Sequence, residues 1–135
     1  MKHEYLVKAF MQDELTELSL DEAERVYGPM LEELHAYREA AAYQLCEPIA
    51  FAEKLLDLAV ICIARDYNTD FSERVVRVAL RIVKEVGIHR PYLLMAALRY
   101  SAVVFGRRGN ETESGRSLND AMRLSARMVV PFVMS

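Results

Sequence analysis

Residues 91–105 read PYLLMAALRYSAVVF and carry a single charged side chain, Arg99. At helical spacing, the apolar residues of this stretch cover every direction around the helix axis, and a helix that is apolar all round is normally buried all round. Proline suits the first position of a helix and glycine suits its end, as Pro91 and Gly106 would be placed here. The stretch therefore predicts a central helix, buried on every side, against which the rest of the chain packs.

Helical periodicity continues on both sides of this stretch, and no alternating pattern indicates a strand. The other predicted helices cover about residues 3–18, 20–47, 48–66, 71–86 and 118–130. Connections between them are short, which favours antiparallel neighbours. The sequence thus predicts an all-α fold: a single helical bundle of five to six mostly antiparallel helices, forming one domain over residues 1–135.

Four local signals set the expected helix boundaries. Ser19 and Glu22 have the spacing of a capping box before the second helix. Gly28-Pro29 predicts a kink or short break inside that helix, because proline removes a backbone donor. Residues 106–116 are rich in glycine and polar side chains and predict a mobile loop, so that Ser117 would cap the last helix. Pro131 is expected to end that helix, and the apolar residues 129–134 are expected to fold back on the bundle or dock on another subunit.

Composition describes an ordinary globular chain, with 53% hydrophobic and 27% charged residues in a total of 135. A chain of this length can bury a core without a disulfide or a metal ion. We expect Cys46 and Cys62 to be buried thiols in a reducing compartment. No uncharged apolar run approaches the ~20 residues of a membrane-spanning helix, and acidic residues interrupt the N-terminal apolar run. These features predict a cytoplasmic protein that does not enter a membrane.

Charge is divided unevenly along the chain. Residues 1–70 hold 6 basic and 15 acidic side chains, whereas residues 71–135 hold 11 basic and 5 acidic ones. Such a division is typical of a chain with an anionic partner. It is equally expected if the two halves face each other, either in one molecule or between two copies.

Sequence patterns of known metal-binding and catalytic sites occur here only in part, and each lacks a residue that the site requires. His3-Glu4 begins a zinc-protease pattern, but Val7 stands where the second histidine is required. Glu32 and His35 have the spacing of a di-iron ligand pair, but the second pair that such a bundle needs does not occur. We therefore assign no catalytic residue, and we expect no metal, no cofactor and no enzymatic activity.

A stripe of cations follows one side of the helix predicted over 71–86. It consists of Arg74, Arg77, Arg81 and Lys84, at offsets of three, four and three residues. Three further cations, Arg107, Arg108 and Arg116, lie in the predicted loop. Together the seven could bind an anion such as nucleic acid or an acidic protein surface, although no aromatic residues interleave with them for base stacking. Alternatively, acidic residues of the first half could meet the stripe, with Glu17, Asp21, Glu24 and Glu32 of a second copy as candidates.

Arg99 poses a separate question, because a guanidinium cannot be buried alone. Asp57 is the only acid near the most apolar part of the 48–66 helix, which makes it the natural partner. A buried Arg99–Asp57 pair would fix the register of two helices. It could instead line an internal pocket for a small ligand, next to Tyr100.

Three functions are compatible with these patterns. The first is a non-enzymatic protein-interaction or regulatory module that self-associates through acidic and basic faces, as a homo-oligomer or with another protein partner. The second is nucleic-acid or other anion binding through the arginine stripe and the 106–116 loop. The third is a small-ligand pocket inside the bundle.

Overall fold

A computed structural model describes residues 2–36, 47–87 and 89–134, and for residues 129–134 it describes the backbone alone. Within these ranges the chain forms six α-helices and one short 3₁₀ turn. The helices are α1 (Glu4–Gln12), α2 (Leu20–Ala36), α3 (Pro48–Ala64), α4 (Asp70–Val86), α5 (Pro91–Arg107) and α6 (Glu111–Met134), and the 3₁₀ turn is Leu15–Glu17. No strand occurs in the described ranges, so the prediction of an all-α helical bundle is confirmed.

Helix starts follow the local signals in the sequence. The Ser19 hydroxyl accepts the backbone N–H of Glu22 at 3.1 Å, as the capping box predicted. Thr69 caps α4, with its hydroxyl accepting the N–H of Ser72 at 3.4 Å. Pro48 and Pro91 stand in the first turns of α3 and α5, where a missing donor costs nothing.

α4 and α5 are the two helices at the centre of the packing, and each contacts three others. α4 contacts α2, α3 and α5, while α5 contacts α3, α4 and α6, and α1 rests on α2. Aromatic residues join the first three helices: the Phe10 ring lies edge-on to Tyr27 at 5.1 Å and to Phe51 at 5.5 Å between ring centres. The core therefore runs continuously from α1 to α5, with α4 in its middle.

The expectation that α5 is buried on every side is wrong. Tyr92 is 73% exposed, Val103 is 38% exposed and Arg99 is also exposed. Leu98, Ser101 and related positions on the opposite side are buried. A helix can be apolar around its whole axis and still leave one side uncovered, because nothing in the pattern says which of its faces has a neighbour.

The prediction of a loop over residues 106–116 is also wrong, because the connection between α5 and α6 is a tight turn. α5 continues through Gly106 to Arg107, Gly109 takes a positive φ of 82°, and α6 begins at Glu111. The side chain of Asn110 accepts the N–H of Glu113 at 3.2 Å, so Asn110 is the residue that starts α6. Ser117, expected as the cap, is instead buried in the interior of α6.

Two expected helix breaks do not occur. α2 is continuous through Gly28 and Pro29, and the backbone of α6 continues through Pro131. Proline in a helix interior removes one hydrogen bond, and the neighbouring turns of these two helices retain helical geometry. The docking predicted for residues 129–134 lies outside the described side chains.

The remaining structural expectations concern cysteine and the membrane. Cys62 is a buried free thiol, and Cys46 lies outside the described residues. Among the helices that the structure describes, none combines the length and apolar character needed to cross a membrane.

Candidate anion-binding cleft

A cleft of about 390 Å³ opens where α4 passes the end of α2. α4 supplies most of its lining, and α2, α5 and α6 contribute one residue each. The lining consists of His35, Arg77, Leu80, Arg81, Lys84, Glu85, Phe105 and Glu113. The cleft therefore brings together three cations of the predicted stripe, a histidine, an aromatic ring and two carboxylates.

Arg77 is held in place from two directions. Its guanidinium carbon lies 4.6 Å from the centre of the Phe105 ring, a distance that allows a cation–π interaction. Its Nη2 atom lies 3.2 Å from a carboxylate oxygen of Glu73, one helical turn earlier. The half-buried guanidinium is thus fixed in orientation at the edge of the cleft.

Arg81 joins α4 to the end of α2. Its Nη1 atom donates to the backbone carbonyls of Leu34 at 3.2 Å and of His35 at 2.9 Å. Carbonyls in the last turn of a helix lack intrahelical donors and carry partial negative charge, so a cation is stabilising there. Arg81 therefore positions His35 as well as contributing charge to the cleft.

His35 lines the cleft and has one ring nitrogen without a partner. Its Nδ1 atom is buried and has no hydrogen-bond partner among the described residues. Burial lowers the pKa of His35 below its usual value, and the nearby charges of Arg74, Arg81 and Arg77 lower it further against the opposing effect of Glu73. The imidazole is accordingly neutral at pH 7 and can donate one hydrogen bond.

The other two cations of the stripe are Lys84 and Arg74. Lys84 is exposed and lines the cleft, whereas Arg74 is half-buried and acts on His35 through its charge. The stripe predicted from sequence spacing therefore forms one local field of positive charge around His35.

The cations predicted from the loop do not join this field. Arg107 donates to the carbonyl of Ile63 at 2.8 Å and lies 3.4 Å from Asp66. Arg108 donates to the carbonyl of Asn68 at 3.2 Å and forms an ion pair with Asp70. Both arginines thus bind the turn between α3 and α4.

Arg116 lies 3.9 Å from Glu113 on α6. The seven predicted cations therefore separate into three groups with different neighbours.

The predicted buried Arg99–Asp57 pair needs correction. Both side chains are exposed, so neither charge requires a buried partner. The prediction depended on α5 being enclosed, which it is not. Tyr100 is half-buried against the core, and no enclosed ligand pocket forms around these three residues in the described part of the chain.

The four acidic residues proposed to face the stripe of a second copy differ in whether they already have contacts within their own chain. The Tyr67 hydroxyl contacts Asp21 at 3.1 Å and Glu24 at 2.5 Å within the same chain. Both carboxylates raise the pKa of Tyr67, after the larger effect of burial. Glu17 and Glu32 are exposed.

Sequence reasoning missed His35 and Phe105 as parts of the cleft. Both lie far from the stripe along the chain, and spacing on one helix carries no information about residues brought in by others. Among the described residues, no three histidine, cysteine or carboxylate side chains gather in a way that could hold a metal ion.

Comparison with models of known protein families, with curated proteins and with solved structures found no match to this chain. The cleft must therefore be interpreted from its own chemistry.

Proposed function

We propose that this chain is a non-enzymatic protein-interaction module, and that its cleft on α4 receives an acidic side chain of a protein partner. The observation that carries the proposal is the grouping of Arg77, Arg81 and Lys84 around the unpartnered Nδ1 atom of His35. Guanidinium and ammonium groups next to a neutral donor favour a carboxylate, which accepts several hydrogen bonds at once.

Cleft size supports a small anionic group. A volume of about 390 Å³ accommodates one side chain or a small organic acid, near the lower end of the range for ligand sites. Arg77 is already fixed by Phe105 and Glu73, so little conformational entropy would be lost when it binds.

An extended polyanion is less well supported. Nucleic acid is normally bound by a continuous track of cations along the phosphate backbone. Arg107 and Arg108 instead bind the turn between α3 and α4, and Arg116 lies beside Glu113. The stripe on α4 thus lacks the continuation that a nucleic-acid track requires.

A hexaglutamate peptide tests the proposal. Its titration into the protein in low salt should move the NMR signals of the His35 ring and give a measurable dissociation constant. Lys84→Glu should weaken binding about ten-fold, because it replaces an attractive charge with a repulsive one at an exposed position. Arg127→Glu, an equal charge change at an exposed position of α6 outside the cleft lining, is the matched control.

Three results would contradict the proposal. Unmoved His35 signals at saturating peptide would exclude the cleft as the binding site. Equal weakening by Lys84→Glu and Arg127→Glu would mean that the peptide responds to overall charge alone. Retention of duplex DNA that is lost in Lys84→Glu and falls steeply with salt would favour nucleic acid instead.

A further inference from the structure

His35 lies among charged side chains that three helices bring to the α4 cleft. They are Arg74, Arg77, Arg81, Lys84, Glu73 and Glu85 on α4, Glu113 on α6 and Glu32 on α2 itself. α5 adds only the aromatic ring of Phe105 to the cleft lining. Among these groups the three arginines oppose a positive charge on the imidazole, whereas Glu73 favours it. The histidine is therefore surrounded by charges whose combined effect disfavours its protonation.

Burial keeps the imidazole neutral for a second reason. The Nδ1 atom of His35 is buried and has no hydrogen-bond partner among the described residues. A proton bound there would face neither water nor an acceptor, and an unpaired buried charge is costly. Burial is accordingly the largest cause of the lowered pKa of His35, ahead of the arginines. A negative charge next to the ring would reduce both effects.

A carboxylate in the cleft supplies such a charge. The cleft volume of about 390 Å³ is that of a sphere about 9 Å across, so an anion inside it lies within the Debye length of ~10 Å at 0.1 M salt from every lining group. Its charge offsets that of the arginines, and its oxygen atoms can accept a hydrogen bond from a protonated ring. The pKa of His35 should therefore be higher with a carboxylate bound than without one.

Two of the arginines are already held where they would keep the carboxylate beside the histidine. Arg77 is fixed by the Phe105 ring at 4.6 Å and by Glu73 at 3.2 Å. Arg81 Nη1 donates to the backbone carbonyl of His35 itself at 2.9 Å. An anion bound by these guanidinium groups therefore lies close to the imidazole.

Proton binding and carboxylate binding at one site are reciprocal. If a bound carboxylate strengthens proton binding by some factor, a bound proton strengthens carboxylate binding by the same factor. Affinity for the carboxylate then rises as pH falls through the pKa that His35 has in the complex. The rise levels off once His35 is protonated in the free protein as well, and a single proton limits it to about ten-fold per pH unit.

We propose that the α4 cleft takes up one proton on His35 when it binds an acidic side chain, so that its partner binds more tightly at mildly acidic pH. This inference rests on the proposed function, because it concerns the same cleft and the same class of partner. It adds regulation by pH to a site that the arginines alone would leave insensitive to pH near neutrality, since a guanidinium stays charged there.

Isothermal titration calorimetry with the hexaglutamate peptide in low salt tests the inference. The affinity should be roughly three-fold or more higher at pH 5.5 than at pH 7.5. Titrations at pH 6.5 in two buffers with different protonation enthalpies should show a net uptake of up to one proton per peptide bound. In NMR spectra, saturating peptide should move the titration midpoint of the His35 ring to higher pH.

Matched variants identify the group that takes up the proton. His35→Gln should bind the peptide with an affinity that no longer rises as pH falls. His89→Gln, an equal change at an exposed histidine outside the cleft lining, should keep the rise. A hexapeptide of cysteic acid, whose sulfonates stay ionised throughout this range, should show the same rise as hexaglutamate or a larger one. Circular dichroism at both pH values checks that each protein is folded.

Equal affinities at the two pH values, with the His35 signals moved by the peptide, would overturn this inference and leave the proposed function standing. A rise that persists in His35→Gln, or a release of protons on binding, would overturn it as well. No binding at either pH would overturn both. If His35→Gln does not fold, proton uptake and the shifted midpoint in the wild type still decide the outcome.

Discussion

Gly109 and Gly115 occupy backbone positions with opposite requirements. Gly109 has a φ of 82°, a conformation that costs an L-residue about 1 kcal/mol or more. Gly115 lies in the interior of α6, and a Cβ added there meets nothing within 4 Å. We expect Gly109→Ala to lower the free energy of unfolding by about 1 kcal/mol and Gly115→Ala to raise it by roughly 0.5–1 kcal/mol.

Urea titrations of the two glycine variants and the wild type measure this difference directly. Each variant serves as the control for the other, since both add one methyl group close to the same turn. An unchanged or higher stability of Gly109→Ala would show that the turn does not hold Gly109 in the left-handed region.

His35 should make stability depend on pH on the acid side of neutrality. Its pKa is lower in the folded protein than the value of about 6.5 in an unfolded chain, so the unfolded chain takes up the proton first. As pH falls through about 6.5, this difference favours unfolding, and stability is lost until the folded pKa is reached. Above that window the histidine is neutral in both states and contributes no pH dependence.

His35→Gln removes this titration and keeps a hydrogen-bonding side chain. Between pH 7.5 and pH 5.5 the wild type should lose more unfolding free energy than the variant, by at most about 1.4 kcal/mol per pH unit for one proton. Urea unfolding at the two pH values measures the difference. Parallel curves for the two proteins would mean that His35 is solvated and titrates normally.

At the level of the helices, the capping residue decides where α6 begins. Asn110 Oδ1 accepts the N–H of Glu113, and the carbonyl of Asn110 accepts the N–H of Ser114 at 3.0 Å. Loss of an asparagine cap usually costs about 1 kcal/mol. Asn110→Ala should therefore lower the melting temperature, whereas Asn119→Ala, at an exposed position inside α6, should leave it unchanged or slightly higher. Equal effects at both positions would contradict the assigned cap.

The same helix shows what sequence could and could not predict about the elements. Asn110 and Glu113 have the same spacing as Ser19 and Glu22, which correctly predicted the start of α2. The glycines around Asn110 suggested a loop instead. Gly106 stays helical because Ser114 packs close to it, with the serine oxygen 3.2 Å from where a Cβ would lie. The number of glycines therefore gave a wrong prediction of a loop, because the tertiary contact between α5 and α6 compensates for the missing side chain.

For the whole molecule, the sequence predicted the fold class well, but it predicted poorly which partners the charged side chains have. Apolar periodicity depends only on neighbours along a helix, and it identified most of the elements. The sequence does not say whether Arg107 or Arg81 faces solvent, a partner or a carbonyl. That depends on which helix ends meet in space. The charge stripe on α4 was recognisable from its spacing, but the burial of His35 beside it could come only from the packing of α2 on α4.

Asp57 and Arg99 illustrate the same limit. The apolar residues around them suggested a buried pair, and the described structure leaves both side chains on the surface. The prediction failed because it depended on α5 being enclosed, which apolar periodicity alone cannot establish.

The end of α5 returns to the turn between α3 and α4 through Arg107 and Arg108, and this has a consequence for local opening. Arg107 holds the last turn of α3 through the Ile63 carbonyl, and Arg108 holds the start of α4 through Asn68 and Asp70. The end of α5 therefore cannot unwind without releasing contacts of both other helix ends. In hydrogen-exchange terms, their amide protons should belong to one cooperative unit and exchange with a common opening free energy, although they lie about forty residues apart along the chain.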